Sequence, residues 1–188
     1  MELAIHHITT RKTWTDLNLD KAAGEQISEL QQQLKNYYGV ADRNLDRRQS
    51  GLAALFNGSS RTDGQAAAAL LGRESGMEVY NIKLADIVSE YIGETEKNID
   101  RVFAQAKGQQ WILFFDEADA LFGKRTEPKD SHDRYANAEL NYLLQRIAEY
   151  NGLVIIATNI KSNIDDPFTR RFRYIIDFPF PGHNKQLQ

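Results

Sequence analysis

Five short apolar runs separated by helix-length segments predict an α/β fold, a parallel five-stranded sheet flanked by helices. The runs cover residues 52–56, 79–84, 111–115, 153–156 and 174–178, and helical patterns cover 22–38, 65–73, 94–106 and 133–150. Strands buried on both faces read as short continuous apolar stretches, and parallel strands need a crossover long enough for a helix. A chain of 188 residues with 41% apolar content is long enough for one well-buried core and short for two.

Taken in order, the first element is an amphipathic helix. Ile27, Leu30, Leu34 and Tyr37 or Tyr38 recur at helical spacing among Glu, Gln and Lys, with Gly39 a plausible stop. Residues 41–51 carry Arg43, Asp46, Arg47 and Arg48 and read as a solvated connection. Strands and helices then alternate to residue 178. The helix at 133–150 gathers Ala136, Leu140, Leu143, Leu144 and Ile147 on one side. In such sheets ligands bind beyond the carboxyl ends of the strands, so the turns after Phe56, Phe115 and Ala157 should converge on one crevice. The only strongly polar internal loop runs over 123–132, and neither a repeat nor a low-complexity tract interrupts the pattern.

The bulk composition excludes several classes. Net charge is −3 with both signs mixed throughout, which suggests neither a general nucleic-acid surface nor a membrane-attracted face. There is no cysteine, so disulfides, thiolate zinc sites and cysteine nucleophiles are excluded and a reducing, cytoplasmic setting is the default. No apolar run approaches the roughly 20 residues of a membrane helix. Residues 1–13 lack the apolar core of a signal peptide, so the chain reads as soluble.

The chemistry lies at the strand ends. Gly58-Ser59-Ser60-Arg61-Thr62-Asp63-Gly64-Gln65 has the outline of a phosphate-binding loop. A working loop of the form G-x-x-x-x-G-K-[ST] wraps phosphates in backbone N–H groups, adds a lysine charge and holds magnesium through a hydroxyl. Here Gly64 and Gln65 stand at the lysine and hydroxyl positions. Next, Trp111 to Phe115 deliver Asp116 and Glu117 to a strand end, a strong Walker B pattern that continues Ala118-Asp119. The first carboxylate can hold the water shell of magnesium, and the second can polarise an attacking water. Acidic residues are also favoured at a helix N-terminus, by about 0.3 to 1 kcal/mol, which is the lesser alternative for the pair taken alone.

Ala157-Thr158-Asn159 follows a buried strand and puts an amide at the same crevice, where Asn159 can orient water or touch a terminal phosphate. Thr-Asn after a strand is equally ordinary turn chemistry. Asp165-Asp166-Pro167-Phe168-Thr169-Arg170-Arg171-Phe172-Arg173 is a dense arginine group before the last strand. Each arginine alone can be a member of a solvated face.

These four signals, in this order, resemble the AAA+ ATPases, over about residues 14–181. The wording Tyr91-Ile92-Gly93-Glu94-Thr95-Glu96-Lys97-Asn98, the stretch Phe115 to Arg125 and the stretch Asp130 to Asn137 look like the unfoldase-type branch. They are most similar to bacterial AAA+ proteins encoded beside phage-tail-like contractile injection systems. The resemblance divides the chain into an N-terminal extension with its helix (1–50), a nucleotide-binding core (51–181) and a tail (182–188). It implies ATP with Mg2+, bound between neighbours of a ring, usually of six AAA+ subunits, acting on a polypeptide substrate. Arg170 and Arg171 match the family's arginine finger, with Arg171 the first choice and Arg173 the reserve. Such a residue is worth ~10³ to 10⁵ in rate in related enzymes. Asn159 matches the first sensor, and Tyr91-Ile92 match the pair that lines the central pore, although Tyr91 can equally be a core aromatic.

The departures concentrate in one place. Aligned on Gly58, the loop has Arg61 at the middle glycine, Asp63 at the last glycine, Gly64 at the lysine and Gln65 at the hydroxyl, and no Gly-Lys-Ser or Gly-Lys-Thr occurs elsewhere. A lost charged hydrogen bond is worth roughly 1.5 to 3 kcal/mol, and Asp63 near phosphates adds a cost of the order of 1 kcal/mol. At about 1.4 kcal/mol per decade, nucleotide affinity falls by roughly two to three orders of magnitude. Arg61 returns part of that if its guanidinium meets phosphate. Magnesium loses its hydroxyl ligand, which leaves Asp116 to hold it almost alone. The chain ends at Gln188, where the family continues into a small helical lid, so a nucleotide site open on that side is expected. Three readings follow: an ATP-hydrolysing motor subunit with weak or lost binding, a non-catalytic ring subunit that lends Arg171 to an intact neighbour, or a decayed fragment.

Overall fold

The computed structural model describes residues 5–39, 51–58, 61–122, 131–159 and 166–179. Six strands, β1 (Ile5–His7), β2 (Leu52–Gly58), β3 (Glu78–Lys83), β4 (Trp111–Asp116), β5 (Leu153–Thr158) and β6 (Tyr174–Phe178), form one sheet in the order β1-β3-β4-β5-β2-β6. The helices are α1 (Lys21–Gly39), α2 (Arg61–Ser75), α3 (Glu94–Ala106), α4 (Asp119–Phe122), α5 (Ser131–Glu149) and α6 (Asp166–Thr169).

The five apolar runs are the five parallel strands, and the sixth strand corrects the expected count. β1 pairs antiparallel with β3, Ile5 opposite Ile82 and His7 opposite Tyr80. Three residues with two histidines carry no readable period, so only the ladder reveals the strand. A short, polar strand also suits a sheet edge.

Two cores sit on opposite faces because side chains alternate along each strand. Within β2, Leu55 faces α3 and α5, packing with Val102, Phe103, Leu143 and Ile147. Its neighbours Ala54 and Phe56 face α1 and α2, packing with Leu30, Leu34, Ala67 and Leu71. In α1, Ala23, Ile27, Leu30 and Leu34 are all buried, the stripe that the helical spacing requires. In α2 the buried face is mostly alanine, which lets the helix sit close to the sheet. A Cβ built on Gly72 would lie 2.3 Å from Val79 Cγ2.

Boundaries shift where the chain nears the crevice. Strands β2, β4 and β5 run one or two residues beyond their apolar runs, to Gly58, Asp116 and Thr158. Helix α2 starts at Arg61, four residues before its apolar pattern, with Asp63 in its first turn where the helix dipole favours an anion. Helix α5 likewise starts at Ser131, so part of the polar 123–132 stretch is helical. Residues 40–50, 123–130, 160–165 and 180–188 lie outside the described residues. Among those described, no helix is long and apolar enough to cross a membrane.

Candidate functional site

Register brings the carboxyl ends of β2, β4 and β5 side by side. Asn57 lies opposite Thr158, and Phe115 lies opposite Ile156. The crossover from β2 leads toward the β1 edge, whereas β5 is followed by β6 on the far side of β2. Such a switch opens a crevice in a parallel sheet. The crevice here has Phe56, Phe114 and Phe178 among its lining residues. Its polar lining brings together Gly58, Gly64, Asp116, Glu117, Asp119 and Asn159.

Asp116 is 5% exposed. Its Oδ1 accepts the Glu117 backbone N–H at 2.8 Å, and its Oδ2 accepts Nε2–H of Gln65 at 3.0 Å. Glu117 is the one non-glycine residue among those described with a positive φ, at 58°. That conformation costs roughly 1 to 2 kcal/mol in an L-residue and is held here by neighbouring bonds. The next amide, Ala118 N–H, donates to Ala157 O at 3.0 Å, and Glu117 O accepts Ala120 N–H at 3.0 Å. The turn lifts the half-buried Glu117 into the crevice lining while Asp116 stays seated below it.

Asp119, at the end of the motif, joins the β4 and β5 ends. Its Oδ1 accepts Thr158 Oγ1–H at 3.3 Å and the Asn159 backbone N–H at a long 3.5 Å. Asn159 itself is exposed at the rim. Asn57, which sequence reading passed over, is 7% exposed and donates Nδ2–H to Asp177 Oδ1 at 2.9 Å. Its place just before the loop glycine was the available signal.

The loop residues divide. Gly58 adopts φ 140°, and a Cβ there would lie 2.1 Å from Phe178 O, so glycine is required. Gly64 has no such need, since a Cβ would meet Phe56 and Phe114 at an ordinary 3.8 and 3.9 Å. Thr62 is exposed, and Ser59, Ser60 and the Arg61 side chain lie outside the described residues. Asp63 is 7% exposed and its Oδ1 accepts from Lys12 Nζ at 2.9 Å. Pairing with Lys12 neutralises the charge that an unpaired Asp63 would direct against phosphate.

Away from the crevice, Tyr91 and Ile92 are 76% and 81% exposed, so Tyr91 is not a core aromatic. They precede the left-handed Gly93 that starts α3. Arg170 and Arg171 are exposed in the turn between α6 and β6, and neither lines the crevice of its own molecule. Arg173 pairs with Glu29 at 3.0 Å, which makes it the poorer candidate for contact with a neighbour.

A family model described as "ATPase family associated with various cellular activities (AAA)" matches residues 64–180, more than half of the chain. The chain belongs to the AAA ATPase family. The matched segment contains Asp116, Glu117, Asn159 and Arg171 and begins at Gly64, the residue at the lysine position. Among curated relatives, an AAA family ATPase of Sinorhizobium fredii (y4kL) is 32% identical over 140 residues, 71% of this chain and 42% of that protein. ATPase family gene 2 protein of Schizosaccharomyces pombe is 35% identical over 61% of this chain and 15% of its own length. Vacuolar protein sorting-associated protein 4A of Rattus norvegicus is 29% identical over 71% of this chain and 31% of its own length. The AAA domain here therefore spans less than half the length of these relatives.

ATP with Mg2+ is the nucleotide of AAA domains generally, and the residues of this site fit it incompletely. The crevice brings the Asp116-Glu117 pair together with Gly58 at the strand ends. Neither Gly64 nor Gln65 is a lysine or a hydroxyl residue, and the Gln65 Nε2–H donates to Asp116 Oδ2.

Proposed function

We propose that this chain is the nucleotide-binding core of an AAA ring subunit of the protein-remodelling class, one that binds and hydrolyses ATP weakly or not at all. The observation that carries the reading is the 3.0 Å hydrogen bond from Gln65 Nε2 to Asp116 Oδ2. In a working loop a small hydroxyl and this carboxylate share a magnesium ion. Here a longer side chain spans that interval and donates a proton where a cation would stand. Loss of the lysine alone costs roughly 1.5 to 3 kcal/mol, about one to two decades of affinity. Because Lys12 neutralises Asp63, this figure replaces the larger penalty that an unpaired aspartate would bring.

Titration with a fluorescent ATP analogue and magnesium tests the reading. Binding weaker than about 10 μM is expected, and low-micromolar binding would overturn it.

A second reading, that the chain joins a mixed ring and lends Arg171 to an intact AAA neighbour, is favoured by the exposed position of Arg171 outside its own crevice. The exposed Tyr91-Ile92 pair suits contact with polypeptide in the same ring. Mixing with an intact relative should give hetero-oligomers whose ATPase rate falls at least tenfold on Arg171→Ala, given the ~10³ to 10⁵ such residues contribute. An unchanged rate rejects donation in trans.

A further inference from the structure

We propose that Lys12 is a positioning residue for the phosphate loop, coupling the segment before α1 to the first turn of α2. Its ammonium lies 2.9 Å from Asp63 Oδ1, across 51 positions of sequence. The Asp63 side chain is only 9% exposed, so its carboxylate has given up most of its water and depends on what faces it. It sits at the third residue of α2, immediately before Gly64 and Gln65.

Lys12 is itself held in place. Before it, the Ile8 N–H donates to Val79 O at 2.9 Å, continuing the β1 ladder. The Lys12 N–H donates to Thr10 Oγ1 at 3.1 Å. After it, Thr13 caps the single 3₁₀ turn Trp14–Asp16, its N–H donating to Asp16 Oδ2 at 2.7 Å. Two residues beyond Lys12, Trp14 Nε1–H donates to Glu74 Oε1 at 2.7 Å. Asp63 and Glu74 lie in the first and last turns of α2, about 16 Å apart along its axis. Residues two apart in this strap, the segment Ile8 to Asp16 before α1, thus hold both ends of the helix that carries Gly64 and Gln65. A displacement of the N-terminal strap removes the cation from a buried carboxylate and loosens the loop end of α2. The first turn of α2 and the strap therefore open together.

Hydrogen exchange by mass spectrometry on the full chain tests this coupling, using Lys12→Ala, Lys12→Arg, Asp63→Asn and the double variant Lys12→Ala with Asp63→Asn. Lys12→Ala should raise exchange at least tenfold in both the strap and the first two turns of α2, leaving α3 and α5 unchanged. Lys12→Arg should restore protection in both. In the Asp63→Asn background, Lys12→Ala should add less than twofold. Faster exchange in the strap alone, or an equal effect of Lys12→Ala with and without the Asp63 carboxylate, overturns the proposal. If Lys12→Ala does not fold, the comparison of Lys12→Arg with Asp63→Asn decides it, since only the second should release both segments. This coupling does not rest on weak nucleotide binding: micromolar ATP affinity would sink that reading and leave the exchange result standing.

Discussion

Gln65 of α2 and Asp116 of β4 are joined directly, the carboxamide Nε2–H donating to carboxylate Oδ2 at 3.0 Å. The bond ties α2 to the strand that carries the Asp116-Glu117 pair. A hydrogen bond to a charged group contributes about 1.5 to 3 kcal/mol. Gln65→Ala should therefore lower the melting temperature, by about 3 to 12 °C for a chain of this size. Thermal unfolding followed by circular dichroism reads the change, and an unaltered midpoint would show that the bond contributes nothing in solution.

Restoring two residues should restore part of the nucleotide site. A Cβ at Gly64 meets Phe56 and Phe114 at ordinary contact distances, so the first side-chain carbon of Gly64→Lys introduces no clash. Combined with Gln65→Thr, it returns both the cation and the hydroxyl while leaving the Lys12–Asp63 pair intact. Affinity for an ATP analogue should rise at least tenfold with magnesium, and less without it. No gain in the double variant would put the deficit elsewhere than these two side chains.

The legible part of the fold was what local pattern encodes. Continuous runs such as Leu153 to Ile156 and the stripe Ile27, Leu30, Leu34 declare a buried strand and a one-sided helix without reference to anything distant. The Asp116-Glu117 pair was readable because a strand end and two carboxylates are adjacent in sequence. Lys12–Asp63 and Gln65–Asp116 were not, because each joins side chains 51 residues apart that meet only once the sheet order is known. Nor was the left-handed Glu117, since nothing in a glutamate announces a positive φ. The early start of α2 was hidden for another reason: its first turn is polar and follows a Gly-Ser-Ser sequence that looks like loop.

Tyr150 should make the fold sensitive to alkali. Its hydroxyl donates to Trp111 O at 2.9 Å, and burial pushes its pKa up to about 12 from an ordinary value of 10.0. The folded state therefore holds the neutral phenol while the unfolded chain ionises it first. Its contribution is fully present below pH 10 and is lost as pH rises toward about 12. Urea unfolding across that window should show a shallower decline for Tyr150→Phe than for the parent, with about 0.5 to 1.5 kcal/mol lost at neutral pH. Parallel pH profiles for the two proteins would exclude Tyr150 as the source.

The seating of α2 on the sheet sets where Gly64 and Gln65 stand, and Gly72 is where that seating is closest. A Cβ there would lie 2.3 Å from Val79 Cγ2 and 2.7 Å from the Met77 carbonyl oxygen. The valine methyl is on a stiff β-branched side chain, and the carbonyl belongs to the turn whose Met77 N–H donates back to Gly72 O at 2.9 Å. Neither neighbour yields cheaply. Alanine gains up to about 1 kcal/mol of helix propensity over glycine, whereas overpacking of this kind costs roughly 1 to 3 kcal/mol. The clash should win, so Gly72→Ala should destabilise the domain. Adding Val79→Ala relieves the side-chain contact but not the carbonyl, and it leaves a cavity of its own, so stability should not return to that of the parent. Because the helix must lift to accept the methyl, the Gln65–Asp116 bond at its other end should lengthen and Gly72→Ala should make removal of Gln65 less costly. A double-mutant cycle between Gly72→Ala and Gln65→Ala measures this. Strict additivity would mean that α2 absorbs the strain locally and its two ends are independent.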